Sequence, residues 1–293
     1  MAKEVVLVDV DDLGIDTTNI RGGEWDYNED LVQDIKNNGI QYPLIVRRAA
    51  PKTGKKYAIV CGSRRFNAAI KAGLTEVPCF IEEMDDVTAL GRTIAENIHR
   101  KDIPAYMYAL KIGQMYKVLD HKGKKGDIVK IIMGKTGFAE STVYTYLNIA
   151  GLPSEIIELM KEPEKRSKKV VELLKRSSVT ELGAVLSLDK AAKIASELGG
   201  FSLTKMFEVA AYVMSLTKDV AFEIIERVKT YPKMSMEKIH DMVSAIPKGA
   251  RLGLEFGSDV VKALDEACMR KSVDRRTLVI NYVEEGLRRD GFL

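Results

Sequence analysis

A chain of 293 residues with 46% apolar content is longer than a single hydrophobic core usually becomes, so we expect two to four domains. The net charge of +3 excludes a uniformly basic chain, although residues 101–176 carry 15 Lys and Arg against 9 Asp and Glu. Three cysteines without metal-ligand spacing, a start without a signal sequence and no run of ~20 apolar residues predict a cytoplasmic protein without a membrane partner.

The first part of the chain alternates short apolar runs with amphipathic segments, the pattern of a small α/β domain. Asn28 or Asp30 is placed to cap the first helix, and Gly39 is placed to end it. The predicted strands are Val5–Val8, Leu44–Val46, Tyr57–Val60 and Val77–Ile81, and the predicted helices lie near Asn28–Asn38 and Arg64–Ala72.

A phosphate-binding pattern follows the third predicted strand. Gly62 comes directly after the strand, and Arg64 and Arg65 open an Ala-rich helix. Backbone N–H groups at the helix start, the positive helix end and two guanidinium groups would then meet at one point. This first box, Gly62–Ala69, predicts a site for a phosphate group.

A second box, Glu96–Arg100, lies further along the chain. Glu96 and Asn97 carry oxygen ligands of the kind that hold Mg²⁺ against a polyphosphate, and Arg100 adds a cation one helical turn later. The alternative interpretation is an N-terminal helix cap with a surface ion pair between Glu96 and Arg100. Together the two boxes indicate a nucleotide-binding site.

Helical spacing of the apolar residues begins near Pro104. A turn at Met133–Gly137 leads into Glu140–Asn148, which has a polar first turn and places Val143 and Leu147 on one apolar face. This is the shape of a helix-turn-helix recognition helix, although it contains no Arg or Lys; an ordinary helical hairpin is the alternative. The side chains predicted to contact DNA here are Lys135, Thr136, Ser141, Thr142, Tyr144, Thr145 and Asn148.

The basic excess continues into an all-helical segment without recognisable chemistry. Taken alone, such a run more often marks a solvated helix face, but its position after the candidate recognition helix favours contact with the phosphate backbone of DNA. We select Lys168 and Lys169 for this contact. The basic residues are Lys161, Lys165, Arg166, Lys168, Lys169, Lys175 and Arg176.

The end of the chain combines a short alternating strand, Arg251–Phe256, with two helices predicted near 260–269 and 274–287. Strand, helix, helix in so few residues resembles a ribbon-helix-helix unit. A unit this small cannot bury its own apolar face and is expected to pair with a second copy. Glu255 on the outer face of the strand opposes phosphate contact, so homodimerisation is favoured over DNA reading.

The two boxes resemble, in order and spacing, those of the ParB family of plasmid and chromosome partition proteins. The segments around them also match, including Leu31–Lys36, Gly39–Val46 and Tyr57–Cys61, and the resemblance extends through Thr136–Val143. The implied fold is multi-domain and mainly α. Its predicted parts are a small α/β ParB-like nucleotide-binding domain (1–103), an all-helical helix-turn-helix domain (104–165), a helical extension (166–249) and a ribbon-helix-helix-like dimerisation domain (250–293).

In this family the first domain binds CTP with Mg²⁺, and the nucleotide closes a clamp around DNA. The resemblance makes Glu96 the residue that would orient water if CTP is slowly hydrolysed, and Glu96 with Asn97 the metal ligands. Ser63 stands where the family more often has glutamate, and Ile20–Gly23 replaces the Gln-Pro-Arg that normally closes over the nucleotide. The implied nucleotide-binding residues are Thr18, Arg21, Gly22, Gly23, Gly62, Ser63, Arg64, Arg65, Asn97 and Arg100.

The function implied by the resemblance is site-specific binding of double-stranded DNA by a homodimeric, centromere-binding partition protein. It would act on a nucleoid or plasmid with a ParA-type ATPase as partner. A ParB-like transcriptional regulator would share every box and stays an alternative. A nucleotide-dependent kinase or nuclease is disfavoured, because His99, His121 and His240 are scattered and no pocket for a second substrate is evident.

Overall fold

The computed structural model describes residues 4–20, 27–49, 54–98, 100, 103–120, 123–177, 183–244, 258–271 and 275–290. The chain divides into two compact units, Met1–Val243 and Ser244–Leu293. Within the described residues, no helix is both long and apolar enough to span a bilayer.

The sheet contains β1 (Val6–Asp9), β2 (Leu13–Ile15), β3 (Leu44–Arg48), β4 (Tyr57–Cys61) and β5 (Glu76–Ile81). The strand order among the described residues is β1-β5-β3-β4-β2. The β1–β5 and β3–β4 pairs are antiparallel, whereas the β3–β5 and β2–β4 pairs are parallel. Four strands confirm the predicted ones. Strand β2 was not predicted, because three residues carry too little alternation to indicate a strand.

Two helices of the α/β part, α1 (Glu29–Asn38) and α2 (Ser63–Ala72), pack against each other. Asn28 caps α1 as predicted, since its side chain accepts a hydrogen bond from the Leu31 N–H at 3.0 Å. Gly39 ends the helix at φ 68°, a left-handed value that favours glycine. A small core beneath these helices includes Val32, Ile35, Leu44, Val46 and Phe66.

The other described elements of the first unit are helices. Its helices are α3 (Asp86–Asn97), α4 (Ala105–Leu119), α5 (Lys125–Thr136), α6 (Glu140–Ala150), α7 (Ser154–Glu158), α8 (Lys168–Arg176), α9 (Leu188–Leu198), α10 (Leu203–Val213), α11 (Lys218–Thr230) and α12 (Met236–Ser244). One larger core runs from Val87 and Leu90 in α3 to Ile239 in α12. Helix α3 therefore packs with the helical part, while the predicted boundaries at 103, 165 and 249 stay predictions.

Two helix predictions need correction. Helix α5 continues through Thr136, so the turn begins at Gly137 and not at Met133. In α4 the helical spacing of apolar residues predicts that Met107, Leu110, Ile112, Met115, Tyr116 and Leu119 share one buried face, but Leu110 is exposed, whereas Tyr108 is buried. The predicted helix end is too early because Gly134 is tolerated within α5, whereas Gly137 ends the helix at a left-handed φ of 78°. The second error arises because a local pattern does not show which face of α4 its neighbours cover.

The second unit contains α13 (Ser258–Lys271) and α14 (Arg275–Arg289), which pack against each other. Both helices were predicted. The predicted strand Arg251–Phe256 lies outside the described residues. Leu278 in α14 is buried, whereas Ile280, Tyr282 and Val283 are each 45% exposed.

Candidate functional site

A cavity of about 510 Å³ lies where α1, the start of α2 and the end of α3 meet. It brings the two boxes together, as their chemistry predicted. Arg21, Gly22 and Gly23 lie outside the described residues. The lining residues are Asn19, Asn28, Asp30, Leu31, Asp34, Gly62, Ser63, Arg64, Arg65, Glu96, Asn97 and Arg100.

The start of α2 is shaped to receive an anion. Gly62 precedes the helix at φ 102°, and a Cβ there would lie 2.6 Å from Leu44 Cδ2. No acidic residue occupies the first turn, so the positive end of the helix dipole is not offset within the helix. Only glycine lets the backbone turn this closely, which places the N–H groups of the first turn at the cavity wall.

The two arginines of the first box both line the cavity, and Arg65 is already held in place. Its Nη1 donates hydrogen bonds to the backbone oxygens of Tyr42 and Pro43, the latter at 3.1 Å. Its Nη2 lies 4.0 Å from Glu96 Oε1. Arg65 therefore links the loop before β3 to the end of α3, and its charge faces the same space as that of Arg64.

Glu96 and Asn97 lie at the C-terminal end of α3, so the alternative of an N-terminal cap is wrong. Asn97 is only 5% exposed, and its Nδ2 donates to the Thr93 carbonyl at 2.7 Å. This bond leaves Oδ1 as the amide atom available to the cavity. Beneath the cavity, burial and the adjacent Glu96 carboxylate raise the pKa of the Cys61 thiol, so Cys61 is an uncharged thiol at neutral pH.

Thr18 does not line the cavity. It is buried in the loop after β2, where its backbone N–H donates to Asp16 Oδ1 at 2.8 Å. Asp16 in turn lies 2.6 Å from Arg47 Nε, and Lys111 Nζ donates to the Thr17 carbonyl at 2.7 Å. Thr18 supports the loop beside the cavity, its buried Oγ1 has no hydrogen-bond partner among the described residues, and its phosphate contact stays a prediction.

The candidate recognition helix is α6. Ser141 and Asn148 are exposed, and Thr142, Tyr144 and Thr145 are half-buried on the same helix. Val143 is buried, as predicted for its apolar face. None of the predicted DNA side chains of α6 is buried, although the Tyr144 ring packs against the edge of the core. The Thr145 hydroxyl donates to the Ser141 carbonyl at 2.9 Å.

The prediction that Thr136 contacts DNA is wrong. It is 2% exposed, its hydroxyl donates to the Ile132 carbonyl at 2.8 Å, and it accepts from the Phe138 N–H at 3.3 Å. Thr136 therefore shapes the turn and is not available to DNA. Lys135 is exposed beside it and donates to Thr88 Oγ1 at 3.2 Å.

Helix α6 lacks a basic residue, but α5 brings one to it. Lys125 Nζ lies 5.5 Å from the centroid of the Tyr144 ring, which is within the range of a cation–π contact. Sequence reasoning missed Lys125, because the two residues meet only when α5 folds back on α6.

The basic run is less open than its sequence indicates. Arg166 is 7% exposed and donates to the backbone oxygens of Lys161 at 3.2 Å, Leu159 at 3.3 Å and Ala184. Arg166 therefore holds the chain and cannot contact DNA. Three lysines are paired with carboxylates: Lys161 with Glu158 at 3.8 Å, Lys165 with Glu162 at 2.9 Å and Lys169 with Glu155 at 2.5 Å. Lys168, Lys175 and Arg176 are exposed.

Residues 2–98 match the family described as ParB N-terminal domain. A chromosome-partitioning protein ParB of Caulobacter vibrioides is 36% identical over 128 residues, which are 44% of this chain and 40% of the relative. The chromosome-partitioning protein Spo0J of Thermus thermophilus is 33% identical over 136 residues, 46% of each chain. The chain thus spans less than half the length of these curated relatives.

Two solved structures are also similar to this chain. One is a C-terminally truncated ParB from Caulobacter crescentus complexed to the centromeric parS site, with 22% identity, a TM-score of 0.38 and coverage of 82% of this chain and 98% of the other. The second is the same protein complexed with CTP-gamma-S, with 25% identity, a TM-score of 0.28 and coverage of 70% and 98%.

Proposed function

This chain belongs to the ParB family, and we propose on that basis that it is a site-specific DNA-binding partition protein switched by CTP. The observation that carries the proposal is the cavity in which both sequence boxes meet. It combines a helix start, Arg64, Arg65 and Arg100 against the amide and carboxylate of Asn97 and Glu96. Such a wall suits the phosphates of a nucleotide with a divalent cation.

The site fits Mg²⁺ through oxygen atoms. Asn97 Oδ1 and the Glu96 carboxylate are the protein oxygens that would hold the ion, and Mg²⁺ typically completes its shell with water and phosphate oxygens. The bound ion would offset phosphate charge. Arg65 keeps the Glu96 carboxylate at the cavity, where it would also orient a water molecule if CTP is hydrolysed.

Nucleotide binding is tested with purified protein and with CTP, ATP, GTP and UTP in the presence of Mg²⁺. We expect selective CTP binding that Arg64→Ala reduces by at least tenfold, since a charge-assisted bond to phosphate contributes ~1.5–3 kcal/mol. Arg48→Ala is the matched control, because Arg48 is exposed and pairs only at the surface with Glu83. Absence of binding for all four nucleotides would reject the switch.

Hydrolysis is tested separately with Glu96→Gln, which keeps the size of the side chain and removes its charge. We expect CTP binding to persist and any turnover of the parent protein to fall. Turnover at the parental rate in Glu96→Gln would remove the role assigned to this residue.

We infer that α5, the turn at Gly137 and α6 form the DNA-reading helix-turn-helix. The support is the set of polar side chains that α6 keeps outside the core, together with Lys125 and Lys135 beside them. Thr142→Ala combined with Thr145→Ala should weaken sequence-specific binding by ~10-fold or more while CTP affinity stays parental. Equal loss of both activities would mean that the two sites are not separate.

The second unit supplies the homodimer contact in this proposal. Its two helices leave Ile280, Tyr282 and Val283 substantially exposed, which is the expected state of an apolar face in a single copy. Two linked copies would present two helix-turn-helix elements to a duplex, as a centromere-binding protein needs. A ParA-type ATPase is the partner that partition would require.

A further inference from the structure

Tyr108 joins the cavity to the core of the helical part. It is 6% exposed, and its hydroxyl donates a 2.5 Å hydrogen bond to the backbone oxygen of Asn97. The side chain of this same Asn97 lines the cavity. A displacement of Asn97 by a ligand would therefore either carry the Tyr108 hydroxyl with it or break a buried hydrogen bond.

The ring of Tyr108 lies in a cluster with two other aromatic rings. It meets Phe138 edge-on at 5.8 Å and stacks with Tyr146 at 6.3 Å, and Phe138 meets Tyr146 edge-on at 5.3 Å. Phe138 lies in the turn between α5 and α6, and Tyr146 lies on the buried face of α6. One side chain thus bonds at one end to the backbone of a cavity residue, Asn97, and packs at the other end against the candidate DNA-reading element.

Helix α3 makes a second contact with the same element. Gly91 packs so closely on α5 that an added Cβ would lie 2.8 Å from Lys135 Cβ and 3.0 Å from the Lys135 carbonyl oxygen. Thr88, one turn earlier, accepts from Lys135 Nζ at 3.2 Å. The first half of α3 therefore contacts α5 directly, and its cavity end reaches the turn and α6 through Tyr108. A shift of α3 would require a change in this packing.

We propose that Tyr108 is a positioning residue that couples nucleotide binding to DNA binding, through its hydrogen bond to Asn97 and its ring contacts with Phe138 and Tyr146. The inference rests on the proposed function, since it requires that both ligands bind. The two ends of the side chain respond to different sites, so the nucleotide-bound position of Asn97 favours one arrangement of the turn and α6. Coupling of this kind is a ratio of affinities and is equal in both directions.

The test measures that ratio in the full-length protein. Affinity for a short duplex, selected by the parent protein from a random-sequence pool, is measured at fixed salt with and without CTP and Mg²⁺. CTP affinity is measured with and without the duplex. Tyr108→Phe removes only the hydroxyl, and Tyr146→Phe is the matched control, because it removes a hydroxyl from the same ring cluster without touching the Asn97 carbonyl. Phe138→Leu tests the ring contact while the Tyr108 hydroxyl stays.

Tyr108→Phe is expected to bind CTP alone and DNA alone as the parent does, while the coupling ratio falls about fivefold towards 1, the effect of one hydrogen bond of ~1 kcal/mol. Phe138→Leu should lower the ratio as well, and Tyr146→Phe should leave it unchanged. A parental ratio in Tyr108→Phe, or an equal fall in Tyr108→Phe and Tyr146→Phe, overturns the inference alone. A parent protein that binds both ligands with a ratio of 1, or binds no nucleotide, overturns the proposed switch together with the inference.

Discussion

Gly62 shows how one residue can fix the candidate site. Its φ of 102° and the 2.6 Å approach of an added Cβ to Leu44 Cδ2 are independent obstacles to any side chain. Gly73, at the other end of α2, has φ 83° but no atom within 4 Å of an added Cβ. A comparison of substitutions at these two glycines therefore separates the energetic cost of backbone strain from that of steric contact.

We expect Gly73→Ala to lower the free energy of unfolding by about 1–2 kcal/mol, the usual cost of a left-handed alanine. Gly62→Ala should lower it by about 1–3 kcal/mol more, because Leu44 must move in a packed core. Gly62→Ala should also weaken CTP binding, whereas Gly73→Ala should not. Urea unfolding and nucleotide titration of both variants check this. Equal stability losses would show that the contact with Leu44 relaxes freely.

The ionisation of Asp16 makes the stability of the loop beside the cavity depend on pH. Burial alone would raise the pKa of its carboxyl, but hydrogen bonds from Arg47 and Thr18 outweigh burial and hold the pKa below the usual 3.8. The folded state therefore releases this proton more readily than the unfolded state does. The stabilisation is fully present above pH 3.8 and is lost as the pH falls through the folded pKa.

Asp16→Asn should lower the free energy of unfolding at neutral pH by about 1–3 kcal/mol, because the hydrogen bonds from Arg47 and Thr18 lose their charged acceptor, while Arg47 keeps its ion pair with Asp86 at 2.7 Å. Its stability should also fall less than that of the parent between about pH 5 and about pH 2. The control is Asp12→Asn, which should change stability little, because the pair of Asp12 with Lys56 lies at the surface and solvent screens it. Urea unfolding across this pH range is the measurement. Parallel pH profiles for parent and Asp16→Asn would contradict the assignment.

The cavity residues that could be predicted from the sequence are those that lie in short continuous sequence patterns. Gly62, Arg64 and Arg65 form one unbroken pattern, and Glu96 with Asn97 forms another. Asp30 and Asp34 also line the cavity, but they reach it only because α1 packs on α2. Their pattern in the sequence is that of an ordinary solvated helix face, so no local signal could have selected them.

At the scale of single helices, α8 offers a direct comparison of two neighbouring lysines. Lys168 and Lys169 are both exposed at its start, but only Lys169 lies 2.5 Å from a carboxylate, that of Glu155. A lysine that is already paired with a carboxylate gains less free energy from a phosphate contact than an unpaired lysine does. The sequence pattern predicts phosphate contact equally for both lysines, and only the folded structure distinguishes them.

Lys168→Ala is expected to reduce the slope of log K for DNA against log salt by about 0.9, the value for one phosphate contact. Lys169→Ala should reduce it by less, because Glu155 already offsets its charge. Fluorescence anisotropy with a fixed duplex over a series of salt concentrations measures both slopes. If neither variant changes the slope, α8 does not contact the phosphate backbone and the basic run is a solvated face.

Across the whole molecule, the sequence predicted the order of the parts better than their packing. The α/β part, the helix–turn–helix order in α5 and α6 and the two C-terminal helices are encoded by local periodicity. Local periodicity does not encode the position of α3. Its apolar residues Leu90 and Ile94 are equally suited to cover the sheet or to join the helical core, and in the structure they join the helical core. Long-range packing of this kind determines how a ligand bound at one site changes the affinity of another site.

The exposed apolar side chains of α14 form a candidate contact between two copies of the chain. Ile280 and Val283 are three residues apart, so they lie on one face of the helix, and each is 45% exposed. A carboxylate on this face would have to be buried if two copies pair through it, at a cost of several kcal/mol. In a monomer the same carboxylate would face water at little cost.

Ile280→Asp combined with Val283→Asp should therefore convert a dimer into a monomer in analytical ultracentrifugation, and CTP affinity should stay parental. Leu203→Asp is the control, because Leu203 is 41% exposed on α10 in the other unit and should not affect assembly. DNA affinity of the double variant should fall by more than tenfold, since each copy then binds with one reading element instead of two. A double variant that stays dimeric would place the dimer contact outside α14, whereas a monomer with undiminished DNA affinity would show that reading does not require two copies.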